Sequence, residues 1–103
     1  MSGKDVPALT AGVITLSFEL PAHSLKEKRS MVRPLVERIR ARFNASVVEA
    51  GNLDDARTAT LAAICLSTDS RYLQGQLQAI LGFVEGTRTD AVLVDVATES
   101  FVL

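Results

Sequence analysis

The sequence is short of several things at once. Its 103 residues include one cysteine, one histidine and no tryptophan, and aromatic side chains make up only 5%. A single cysteine supports neither an internal disulfide nor a cysteine-based zinc site, so an intracellular compartment is the default expectation. No apolar run approaches the ~20 residues of a membrane span, and no basic-then-apolar signal peptide opens the chain. An excess of one charge is missing too. There are 11 Lys+Arg against 12 Asp+Glu, a formal net charge of -1, which argues against a strongly basic nucleic-acid-binding domain. What is present is apolar content, at 48%. That is too much for a disordered chain, and the length fits one domain burying roughly two thirds of its unfolded surface.

Residues 1–11 show no amphipathic period and contain Pro7; they read as an N-terminal tail ahead of one domain over 12–103. From Gly12 the pattern alternates. Ile14, Leu16, Phe18 and Leu20 fall on one face and Thr15, Ser17 and Glu19 on the other, a half-buried strand that Pro21 ends. Ser24 and Glu27 have capping-box spacing for a helix. In that helix Leu25, Val32, Leu35, Val36, Ile39 and Phe43 form one arc at 100° per residue. Pro34 lies inside it and predicts a kink, or a break into two pieces; the arc stays in phase on both sides, which favours one helix.

Asn44 reads as the helix C-cap, followed by a short strand over 45–50 and a loop over 51–57. Residues 58–67 are apolar on both faces, as in the middle of a sheet, although their alanines also suit a short helix. Ser67, Thr68 and Asp69 offer caps for a second helix with a stripe of Leu73, Leu77, Ile80, Leu81 and Val84, and Gly86 is placed to end it. Val92, Val94 and Val96 alternate as a last strand. The order β-α-β-β-α-β predicts an α+β, ferredoxin-like sandwich: a four-stranded antiparallel sheet with both helices on one face and the other face open.

The near-zero charge is unevenly distributed. Residues 24–43 hold seven basic and two acidic side chains, a balance of +5, and the remainder holds four basic and ten acidic, -6. Around the first helix Lys26, Arg29, Arg33 and Arg40 lie about 60–120° from Val32, one flank beside the apolar arc. Lys28 points to the core side, where only its stem needs cover. Lys26, Lys28, Arg29 and Arg33, with Arg40 in second rank, are the candidate contacts to phosphate or to an acidic partner. The plain alternative is a solvated helix face.

Other chemistry is thinly represented. Base stacking on the sheet needs aromatics on the central strands, and Phe18 belongs to the core. The open face carries Thr15, Ser17 and Glu19, with Glu49 and Asp95 as candidates; Glu19, Glu49 and Asp95 sharing that face form the carboxylate cluster to consider. Asp54 and Asp55 read as turn formers. His23, just before the helix cap, has no recognisable nucleophile arrangement around it. Cys65 reads as a small buried hydrophobe. No phosphate-cradling glycine loop occurs, because Gly75 and Gly82 sit within the second helix. No cofactor or metal is expected.

The run His23-Ser24-Leu25-Lys26-Glu27-Lys28-Arg29, with Arg42-Phe43-Asn44-Ala45-Ser46-Val47-Val48-Glu49 after the helix, resembles the YlxP-like family of small bacterial domains of unknown function. The resemblance extends from about Gly12 to Val96 and includes Leu20-Pro21, Thr60-Leu61, Arg71-Tyr72-Leu73 and Phe83-Val84-Glu85. It implies a ferredoxin-like fold, a cytoplasmic protein and no enzyme activity. Members commonly lie in gene clusters with transcription-elongation, translation-initiation and ribosome-maturation factors, which implies an RNA- or ribosome-linked role. The chain departs from the family in its N-terminal tail, in Pro34 and in a 52–57 loop without the tryptophan common there. The expectation is a non-enzymatic binding module for RNA or a ribosomal component, with no membrane partner and no DNA-specific signal. One alternative is a self-associating module that uses the apolar 58–67 strand. The other is an enzyme built on His23 and the sheet carboxylates.

Overall fold

A computed structural model describes residues 8–103. Of the tail assigned to residues 1–11, residues 1–7 lie outside the described residues. Six elements follow in the expected order. They are strand β1 (Thr10–Glu19), helix α1 (Leu25–Arg42), strands β2 (Ser46–Gly51) and β3 (Thr58–Ser67), helix α2 (Ser70–Gly86) and strand β4 (Val92–Val102). The strands form one sheet in the order β2-β3-β1-β4, every pairing antiparallel. This is the ferredoxin-like α+β arrangement that the periodicity predicts. β1 begins at Thr10, so Thr10 and Ala11 belong to the sheet rather than to the tail, paired with Ser67 and Leu66 on one side and with Val102 and Phe101 on the other.

The core is where the alternation and the helical arcs meet. Ile14, Leu16 and Phe18 of β1, and Leu61, Ala63 and Cys65 of β3, are buried beneath Val32, Leu35 and Ile39 of α1 and Leu73, Leu77, Ile80 and Val84 of α2. Leu81, Val36 and Phe43 are partly buried at its margin, and Leu25 is exposed. The 58–67 segment is a strand, since its alanines lie between β1 and β2, where small side chains on both faces are covered. Gly12 lets α2 approach the sheet: a Cβ there would lie 3.0 Å from side-chain carbons of both Leu73 and Leu77.

The helix ends follow local chemistry. The Glu27 N–H donates to Ser24 Oγ (3.1 Å), while the Glu27 carboxylate accepts from the backbone N–H of His23, one residue ahead of the usual capping-box donor. α1 runs unbroken through exposed Pro34 as one helix. It ends with Phe43, not Asn44, as its C-cap; the Phe43 N–H donates to the Ile39 carbonyl. Asp69 caps α2 by accepting from the Arg71 and Tyr72 N–H groups. Gly86 does not supply a left-handed stop, since no glycine among the described residues has positive φ. The helix stops at Thr87 instead, whose hydroxyl donates to the Phe83 carbonyl (2.6 Å) and whose N–H donates to that of Val84.

Candidate functional site

The helix wheel orders the basic residues of α1 into distinct surroundings. Lys26, Arg29 and Arg33 are exposed at i, i+3 and i+7, and with Ser30 and Pro34 they line one shallow depression. Arg40 continues the same flank but turns its guanidinium to donate to the Val47 carbonyl of the edge strand β2. On the opposite flank Arg42 stacks over the Phe83 ring, 5.4 Å from its centroid, and Phe83 meets Phe43 edge to face. Arg38 lies on that second side, beside a hollow it shares with Arg88. Sequence spacing separates Arg38 and Arg42 from the Lys26 flank, but only the fold brings Arg88 to Arg38.

Lys28 is not part of this surface. Its side chain is 3% exposed, and its ammonium donates to the carbonyls of Asn52 (2.6 Å) and Asp55 (2.8 Å) while pairing with the Glu49 carboxylate at 2.8 Å. Two carbonyls take its hydrogen bonds and the Glu49 carboxylate balances its charge, so the group is engaged internally and leaves the set of candidate contacts. The wheel position toward the core was legible; the burial of the charged end was not, because its acceptors lie in a loop more than 20 residues away.

That ammonium organises the 52–57 loop. Asn52 takes a left-handed φ of 59°, a conformation asparagine tolerates better than most residues. Asp55 then accepts from the Arg57 N–H (2.9 Å) and the Thr58 hydroxyl (3.1 Å). The Arg57 N–H first, then the Thr58 hydroxyl, hold the Asp55 carboxyl below the usual carboxylate range. Its turn-forming role is thus realised in detail.

The three sheet carboxylates do not come together. Pairing places Glu19 and Asp95 on the open face, but Glu49 shares the helix-side face with Val47 and engages Lys28. His23 is exposed ahead of α1, with its backbone N–H bound to Glu27. Among the described residues no three His, Cys, Asp or Glu side chains are grouped to hold a metal ion. Cys65 is buried, and burial pushes its thiol pKa up, so the unreactive thiol form is favoured. No described helix is long and apolar enough to cross a membrane.

Comparison with known proteins fits this layout. Residues 11–98, nearly the whole of the sheet and both helices, match the family described as proteins of unknown function, DUF503. The chain belongs to that family. It is also 30% identical over 64 residues to the uncharacterized protein YlxP of Bacillus subtilis (strain 168), which covers 62% of this chain and 70% of the relative. The shared description is one of unknown function, so the exposed charge of α1 is the chemistry from which a role is argued.

Proposed function

We propose that this domain is a non-enzymatic, cytoplasmic binding module that contacts RNA phosphates through Lys26, Arg29 and Arg33, with Arg40 at the end of the row, in the environment of translation or ribosome assembly. One observation carries the reading. Among the described residues the ion pair present is the buried Lys28–Glu49 pair, so the exposed cations of α1 have no carboxylate within salt-bridge distance. A row at i, i+3 and i+7 spans roughly 10 Å along the helix, enough to meet two or three successive phosphates. The resemblance to a family encoded beside translation and ribosome-maturation factors supports RNA as the polyanion.

The open sheet face supports contact through phosphates rather than stacked bases. Its central positions are Val13, Thr15 and Ser17 on β1 and Thr60, Ala62 and Ile64 on β3, none aromatic. Phosphate contacts position a ligand but do not read its sequence. Recognition of a structured RNA by shape and charge follows.

The test is binding to an RNA hairpin, measured by fluorescence anisotropy from about 50 to 300 mM salt. Affinity is expected to fall with salt, at a log–log slope near -2 to -3. Replacing both Arg29 and Arg33 with Ala is expected to weaken binding at least tenfold and make the slope shallower by about 2, with an unchanged circular dichroism spectrum. Absence of binding at ~50 mM salt, a flat salt response, or unaltered affinity in the double variant refutes the proposal.

A further inference from the structure

The open face of the sheet concentrates exposed apolar side chains. Val48, Ile64, Leu66 and Phe101 project there around Val13, with Ile64 43%, Phe101 47% and Leu66 60% exposed. Isolated exposed hydrophobes are ordinary, but a contiguous set on one flat face marks an interaction surface. The charges around it are arranged by edge. Asp95 and Glu99 of β4 stand on one side, with Glu19 at the adjoining end of β1, and this face carries no Lys or Arg of its own strands. On the other side, beyond β2, Arg40 joins Asn44, Ala45, Ser46, Ile64 and Leu66 around a groove of about 560 Å3. The face therefore runs from an acidic edge across an apolar centre to an edge where Arg40 is the cation of the groove.

We propose that a second copy of this chain covers the open face, related by a two-fold axis that runs along the strands. In an aligned face-to-face pair the two-fold axis runs either along or across the strands. An axis across them stacks β4 on β4 and sets acid against acid. An axis along them stacks the β4 edge of each copy on the β2 edge of the other, so the acidic edge and the Arg40 edge meet twice by symmetry.

Register makes this specific. Ser46, Ile64, Val13 and Glu99 form one row across the sheet. Reversed by the two-fold, that row places Val13 on the partner's Ile64 and Glu99 above the partner's Ser46, beside the partner's Arg40. In the next row, where Leu66, Ala11 and Phe101 are aligned, β2 has not yet begun. Phe101 of each copy then meets the groove next to the partner's Leu66. Aligned sheets packed about 10 Å apart are a common sandwich geometry.

The area is sufficient for a reversible pair. Four strands at ~4.8 Å spacing, three of them about 33 Å long, make a face of roughly 500 Å2 per copy. About 1,000 Å2 in total lies at the lower bound for specific interfaces, the size class of reversible rather than permanent dimers. The surface is separate from Lys26, Arg29 and Arg33 and shares only Arg40 with the proposed RNA contacts, so Ile64→Lys tests this inference without touching RNA binding.

The experiment is mass by sedimentation equilibrium, from micromolar to about 1 mM protein. The native chain is expected to move from monomer to dimer across that range. Ile64→Lys is expected to remain monomeric, its fold checked by circular dichroism. Glu99→Lys should raise the dissociation constant roughly tenfold, since two symmetric contacts are reversed. Adding Arg40→Glu to Glu99→Lys should restore most of that loss. A native monomer throughout, a dimer indifferent to Ile64→Lys, or a double charge reversal without rescue overturns the proposal. Each would assign the face to another occupant or the association to a strand edge.

Discussion

Lys28 and Asp55 do at the residue scale what a bound cation and an anion do in other loops. The Lys28 ammonium gathers two carbonyls of one turn and the carboxylate of the preceding strand, and Asp55 gathers the donors that close the same turn. Lys28→Met removes the charge and leaves the Glu49 carboxylate without its partner. A loss of about 3 kcal/mol of stability is expected, read as a lower urea midpoint. Glu49→Gln should cost less, because the ammonium keeps both loop carbonyls and the Gln amide oxygen can still accept from it. For Asp55 the sign follows from its depressed pKa. Its contribution is present above the ordinary value of 3.8 and disappears as pH falls through the lower folded value. Below about pH 4, therefore, the native chain should lose thermal stability more steeply than Asp55→Asn. Alternation alone places Glu49 on the same face as Val47, so that much was legible. Its partnership was not, because a lysine at a core position signals a covered stem without naming what receives the charged end.

The elements were legible where one periodicity dominates. The stripe of α2 and the alternation of β1 each serve one buried face, and each was read almost residue for residue. Ends were harder, because caps compete locally. Thr87 closes α2 with its hydroxyl and Phe43 closes α1 with a backbone bond, where sequence favours Gly86 and Asn44. The role of Gly12 was also hidden, because close approach depends on a helix some sixty residues away. Gly12→Ala is expected to cost about 1–2 kcal/mol by forcing Leu73 and Leu77 aside. In contrast, added Cβ atoms at Gly75 and Gly82 meet nothing within 4 Å. Alanine at either should gain about 0.5–1 kcal/mol from helix propensity. Denaturant midpoints of the three variants, with unchanged slopes, check both signs.

Across the whole molecule, the net charge of -1 conceals a division by location. Cations crowd one helix and its flanks, while Glu19, Asp95 and Glu99 carry negative charge to the open face and the β4 edge of the sheet. The +5 and -6 halves could be counted from sequence. Their placement required strand order and register, which depend on β1 pairing with residues 39 to 92 positions away. That strand order has a consequence for assembly. β1 comes first in the chain, yet both its neighbours, β3 and β4, come after it. The β-strand at the centre of the hydrophobic core therefore keeps an open edge until the last strand arrives. Such long-range closure slows folding and exposes a strand edge to intermolecular pairing meanwhile. Shortening the chain from its C-terminal strand would thus trim no ornament; it would prolong the most aggregation-prone moment in the life of this fold.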